Sequence, residues 1–187
     1  MPLLKRTSHA LSAKLTRVTL DRFIAAHASR GLTLDIGAQN GPYAAAFPRR
    51  IAVDLRRGTG VQVLGDAQAL GLIDGVFDVV LCTEVLEHLP EPQRAVDEMF
   101  RVLKPGGRVA VSDIVTNGPM SPVVAKGLEA WAACVAGALD VKDYRRDLSA
   151  AGFVEVHSRP KEGTANEVLA QVPLGMPYSA LITARKP

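Results

Sequence analysis

Glycines 37 and 41 stand in Leu34-Asp35-Ile36-Gly37-Ala38-Gln39-Asn40-Gly41, directly behind an apolar run. The pattern predicts a buried strand that ends in a tight turn and opens a helix, with no Cβ at either glycine to keep a ligand off the backbone. The next apolar run closes on Ala52-Val53-Asp54, which puts a carboxylate 17 residues beyond Gly37, where it can accept both hydroxyls of a ribose. Gly65-Asp66-Ala67 ends a third run and offers Asp66 to an adenine amino group. An aspartate behind a strand is also an ordinary turn or cap residue, and for Asp66 the two readings balance. Glu84 and His88 lie four apart just beyond a fourth run, where a general base could take a proton from a hydroxyl nucleophile. They share a face if that turn is helical. The competing reading has them shape the loop and cap the helix that follows.

Those residues need strands to carry them to one edge. Apolar runs rich in valine, leucine and isoleucine fall at Leu32 to Ile36, Ile51 to Asp54, Val61 to Leu64, Phe77 to Cys82, Arg108 to Ser112, Phe153 to Ser158 and Ser179 to Arg185. Helical patterns alternate with them, which is the signature of βαβ units and a largely parallel sheet. One helix follows Pro90-Glu91-Pro92, carries Val96, Met99, Phe100 and Leu103 on one face, and stops at Lys104-Pro105-Gly106-Gly107. Another runs from Val141 to Ala151 with Gly152 as its stop. In the N-terminal segment Leu11, Leu15 and Val18 make one stripe while Leu20, Phe23 and Ile24 point elsewhere, so a helix there breaks near Thr19 or is covered on two sides.

Residues 32 to 113 resemble the class I S-adenosylmethionine-dependent methyltransferases of the type 11 group, through LDIGAQNG, AVD, GDA, FDVVLCTEVLEHLPEP and EMFRVLKPGGRVAVSD. The resemblance implies a Rossmann-like α/β fold: a seven-stranded, mostly parallel sheet with helices on both faces and its last strand antiparallel. It implies S-adenosyl-L-methionine as cofactor, with the backbone around Gly37 and Gly41 holding the methionine part, Asp54 the ribose and Asp66 with Ala67 the adenine, and with Asp35, Ala38, Gln39, Leu55 and Thr83 completing the cofactor site. The family most often has glycine where this chain has Gln39, read here as a tolerated polar residue able to contact the cofactor carboxylate. A sulfonium is already a strong electrophile, so such an enzyme works mainly by positioning a nucleophile away from water.

The acceptor pocket is expected from residues 117–138 and 160–178, because variable chemistry lives in such connections. Around and between them VAVSDIV, EAWAACVAGALDVKDYRRDLSAAGF and YSALITARKP are similar to the C-terminal part of arsenite methyltransferases. That similarity implies Cys134, with Trp131 nearby, as an acceptor contact, Cys134 being the thiolate that would bind trivalent arsenic. Arsenic binding needs several thiolates, and this chain has only Cys82 besides. Arsenite is therefore the second reading, behind a small-molecule or lipid-like acceptor.

A chain of 187 residues with 48% hydrophobic content supports one core. Residues 1–31 are expected to form a helical segment covering the site and residues 32–187 the methyltransferase domain. The net charge of +3 gives no nucleic-acid footprint, and no metal site is expected. Lys5, Arg6, Lys14, Arg17, Arg22 and Arg30 face one acid, Asp21, in the first thirty residues. A basic amphipathic helix of that kind can make weak contact with an anionic membrane surface, though its divided apolar face favours a solvated helix. With no secretory or membrane-spanning pattern and two isolated cysteines, the expected setting is cytoplasmic, as a monomer or homodimer. Two other classes compete: an NAD-dependent oxidoreductase, for which GAQNGPY lacks the G-x-G-x-x-G fingerprint, and a cofactor-binding domain without catalysis.

Overall fold

The computed structural model describes residues 18–39, 43–119, 138–161 and 174–187. Three short runs form the middle of the sheet, because their buried backbone can be satisfied only by strand pairing. Strand β1 (Thr33–Ile36) lies between β2 (Arg50–Asp54) and β4 (Phe77–Thr83), parallel to both. Beyond β2 is the short β3 (Val63–Leu64), and beyond β4 comes β5 (Leu103–Thr116). Strand β7 (Val154–Pro160) and β8 (Pro177–Arg185) complete the order β3-β2-β1-β4-β5-β8-β7, with β8 antiparallel to both neighbours. This is the Rossmann-like sheet the sequence led one to expect, its last strand reversed.

Alternation along each strand sends two different cores to the two faces. Leu34, Ile36, Val53, Val80, Cys82, Val109 and Val111 share one core with α2 (Pro92–Val102) and α3 (Val141–Ala150). Val79, Leu81, Ala110 and Leu181 share the other with Leu20, Phe23 and Ile24 of helix α1 (residues 18–26) and with Phe47. Helices therefore cover both faces. Val18 is exposed, and the stripe it was to share with Leu11 and Leu15 lies outside the described residues.

Four details differ from expectation. Val61 and Gln62 stay out of β3, because the Gln62 side chain replaces part of the ladder: its Oε1 accepts from Ala52 N at 2.8 Å while the Gln62 backbone N–H donates to Ala52 O at 2.9 Å. Helix α2 stops at Val102, and Leu103 to Gly107 already belong to β5, with an irregular register against β4 and Gly106 turning at φ 78°. Lys186 Nζ completes that helix end, donating to the carbonyls of Phe100 and Leu103 at 2.8 Å each. An eighth strand, β6 (Leu139–Asp140), pairs with the end of β5, and Asp140 then caps α3 by accepting from Lys142 N at 2.9 Å. Behind the glycine turn, residues 43–46 form a turn where a helix was expected.

Asp35 is only 1% exposed, and Arg50 Nη1 donates to its Oδ2 at 2.6 Å. Burial still holds this carboxyl above its ordinary range, outweighing the guanidinium. Arg50→Met should destabilise the protein by about 3–5 kcal/mol, since it leaves a buried acid unpaired. Because protonating Asp35 removes the uncompensated charge, the deficit measured by urea denaturation should be smaller at pH 4 than at pH 8.

Candidate functional site

The parallel register delivers Ile36, Val53 and Cys82 side by side, so the loops that follow leave at one edge. Gly37 turns first, at φ 75°, with its amide on Val53 O at 2.9 Å. A Cβ at this position would stand 2.3 Å from Val85 Cγ2, so glycine is required both by the backbone and by the loop behind β4. Ala38 is buried behind the turn, and Gln39 continues it in the left-handed region at φ 34°. Asp54 fastens the turn from β2: its Oδ2 accepts from Gln39 N at 3.2 Å and its Oδ1 from Arg56 N at 2.9 Å. Beside it Leu55 is 67% exposed, an apolar side chain at the sheet edge.

Asp66 is less open. Its carboxylate accepts from Gln68 N at 2.9 Å and Gln68 Nε2 at 3.2 Å, and Gln68 Oε1 in turn accepts from Glu91 N at the start of α2. The turn-forming role weighed against adenine binding is thus present, with Ala67 buried next to it. Thr83, half-buried, ends β4. Gly41, Trp131 and Cys134 lie outside the described residues.

Glu84 and His88 do not share a helical face. Helical structure here is one 3₁₀ turn over Leu86–His88, Val85 before it is neither helical nor extended at φ −126° and ψ −48°, and Glu84 stands in the left-handed region at φ 57°. Both side chains are exposed. Glu84 is held from two directions: its amide donates to Ser112 O at 2.7 Å, and its Oε1 accepts from Lys161 Nζ at 3.2 Å. Lys161, whose side chain is only 3% exposed, sits just past β7.

Sequence reasoning passed over Glu87, which lies between those two candidates. It is 4% exposed, and among the described residues neither carboxylate oxygen has a hydrogen-bond partner. Burial pushes its pKa up to about 7; its own backbone amide opposes the rise, Glu84 adds to it, and Lys161 opposes it. Cys82 and Tyr144 are raised as well, each by burial first and with Glu87 contributing. Asp35 Oδ1, Ser112 Oγ and Asp113 Oδ1 are likewise buried without partners among the described residues, while Asp113 Oδ2 accepts from Tyr144 OH at 3.3 Å. The signal for Glu87 was the period: between apolar Leu86 and Leu89 it is one of the polar residues a helix-entry reading sends to solvent.

Three comparisons bear on this arrangement. Residues 34–111 match the methyltransferase domain family. An arsenite methyltransferase of Halobacterium salinarum is 39% identical over 128 residues, which are 66% of this chain and 33% of that protein. A ubiquinone biosynthesis O-methyltransferase of Klebsiella pneumoniae is 30% identical over 142 residues, 65% of this chain and 59% of that one. The chain thus spans a third to about three fifths of the length of these relatives. Among solved structures, phosphoethanolamine N-methyltransferase 2 of Haemonchus contortus, in complex with S-adenosyl-L-methionine, superposes with a TM-score of 0.68 at 16% identity, covering 92% of this chain and 52% of that one, which shows the fold.

An acid held at about 7 in the folded protein and at its ordinary 4.5 when unfolded binds more protons when folded, so stability falls as pH rises between those values. Between pH 4.5 and pH 8 the wild-type protein should lose about 3 kcal/mol more unfolding free energy than Glu87→Gln, which cannot titrate. Urea denaturation of both proteins at the two pH values measures the difference.

Proposed function

The chain carries a methyltransferase domain of the class I type, and from that premise we propose that it moves the methyl group of S-adenosyl-L-methionine to a small-molecule or lipid-like acceptor. The observation that carries this reading is the Asp54–Gln39 contact, which presents a carboxylate, an exposed apolar side chain and a Cβ-free turn at one edge. Those are the chemistries a ribose diol, an adenine face and a methionine backbone require. Asp54 would accept from the ribose hydroxyls on the lone pairs that its two backbone donors leave free, and Leu55 would lie against the adenine. Gly37, Ala38, Gln39 and Gly41 would face the methionine part, and Asp66 with Ala67 the far side of the base. Once bound, the cofactor supplies a methyl group on a positively charged sulfur. The protein's share is to hold an acceptor in line with it and keep water out.

The arsenite reading draws support from the Halobacterium relative and from Cys134. Against it, the thiol of Cys82 is fully buried with its pKa pushed far up, so it brings no second thiolate to an arsenic atom. Among the described residues no helix is long and apolar enough to cross a membrane.

Calorimetry should show the purified chain binding S-adenosyl-L-methionine and ignoring NAD. Asp54→Ala should weaken cofactor binding at least about tenfold, the value of one lost hydrogen-bonded contact of 1.4 kcal/mol or more. Labelled cofactor offered with arsenite, small phenols and hydroxylated lipids then identifies the acceptor. Transfer to arsenite that disappears in Cys134→Ser would replace the leading acceptor class.

A further inference from the structure

The geometry points to Glu87 as the group that receives the acceptor's proton, with Lys161 as its positioning partner, and hence to an acceptor that reacts through a hydroxyl. This rests on the methyl-transfer reading above and adds the acceptor class and the residues that prepare it. The first observation is isolation: a carboxylate 4% exposed, with neither oxygen hydrogen-bonded by another described residue and only its own backbone amide at hand, is an expensive feature to keep unless something else engages it. The second is place. Val85 packs against Gly37 at the cofactor turn, so the Glu84–His88 stretch forms the wall where β1 and β4 end.

The third is the charge around it. Glu84 shares its loop, Lys161 faces it from the end of β7, Cys82 from β4 and Tyr144 from α3. Both Cys82 and Tyr144 are held protonated by burial, which leaves Lys161 as the cation near Glu87 among these groups. Lys161 is itself anchored, its ammonium on Glu84 Oε1 at 3.2 Å and its amide on Ser179 O at 2.8 Å. Lys161 is compensated by Glu84, so the discrimination rests on the proton: a hydroxyl acceptor has one for Glu87 to take, whereas trivalent arsenic, nucleophilic through its own lone pair, would give Glu87 nothing to do.

The step balances without an added reagent. The acceptor O–H bond breaks and its proton passes to the Glu87 carboxylate; the oxygen lone pair forms the new C–O bond as the methyl–sulfur bond breaks, and that bond's electron pair stays on sulfur. Glu87 then returns the proton to water. With its pKa near 7, the carboxyl is poised to accept at neutral pH.

The test compares phenol, un-ionised at neutral pH, with 4-nitrophenol assayed at pH 8, where it is already largely ionised. Glu87→Gln should lose about a hundredfold in turnover of phenol while keeping turnover of 4-nitrophenol within a few fold, with cofactor affinity by calorimetry unchanged. Wild-type turnover of phenol should rise through about pH 7, and in Lys161→Met, where the opposing cation is gone, that rise should move to higher pH. Equal loss on both phenols would mean that Glu87 only supports the fold and overturns the proposal. So would an unshifted profile in Lys161→Met, or a wild-type protein that binds cofactor yet methylates arsenite and neither phenol. A wild-type protein that does not bind S-adenosyl-L-methionine would instead remove the underlying methyl-transfer reading.

Discussion

The placement of β1 between β2 and β4, parallel to both, is the constraint on which the rest of the molecule depends. A parallel register sets strand ends level, so the backbone leaves the sheet at Gly37, Asp54 and Thr83 along one edge. Each loop then meets the others at once. Gly37 has no room for a side chain because Val85 is already there, and Asp54 finds the Gln39 amide because the turn cannot swing away from β2. A functional edge of this kind follows from topology before any residue is chosen for chemistry, which is why doubly wound sheets bind ligands outside the carboxyl ends of their strands.

The two faces of the sheet divide the labour. One face is an apolar layer under α2 and α3, and the other carries the α1 helix together with the Asp35–Arg50 pair. Among the described residues Asp35, Glu87, Ser112 and Asp113 hold buried oxygens without partners, all toward the carboxyl ends of β1, β4 and β5, and Glu84 keeps a left-handed backbone. Such features oppose folding, by roughly 1–3 kcal/mol each for an unsatisfied buried group and a similar amount for the strained backbone. Their collection at one edge is what distinguishes that edge from the remainder of the sheet.

The architecture was legible because burial writes itself into the sequence. Strands covered on both faces must be continuous apolar runs, and Leu34, Val79–Leu81 and Val109–Val111 are. What escaped were the places where a side chain takes over a backbone's role or a turn overrides a period. Gln62 delays the start of β3 by imitating the ladder, and β5 begins at Leu103, ahead of the expected strand start, with Gly106 turning inside it. The same holds at the site. Gly37 and Asp54 are placed by strand ends, which periodicity reveals; Glu87 and Lys161 are placed by a 3₁₀ turn and by the close of an edge strand, and neither has a period to read. The spacing of Glu84 and His88 suggested a shared helical face, but a left-handed residue at 84 turns the chain before the helical turn begins.

Gln39 shows how the fold absorbs an unfavourable residue at the point of function. A residue with a Cβ in the left-handed region costs about 1–2 kcal/mol, and glycine would avoid that. Here the turn is held from both sides: the Gln39 amide donates to Asp54, and its carbonyl accepts from Gly60 N at 3.2 Å. The second contact needs close approach, and Gly58 permits it, since a Cβ there would stand 2.4 Å from Gln39 O. Gly58, Gly60 and Asp54 together therefore make a glutamine workable where a glycine would be easier, so the stretch from 54 to 60 is as much a part of the cofactor turn as residues 37 to 39. A substitution at Gly58 would consequently be felt at the turn, although Gly58 stands nineteen positions away from Gln39 along the chain.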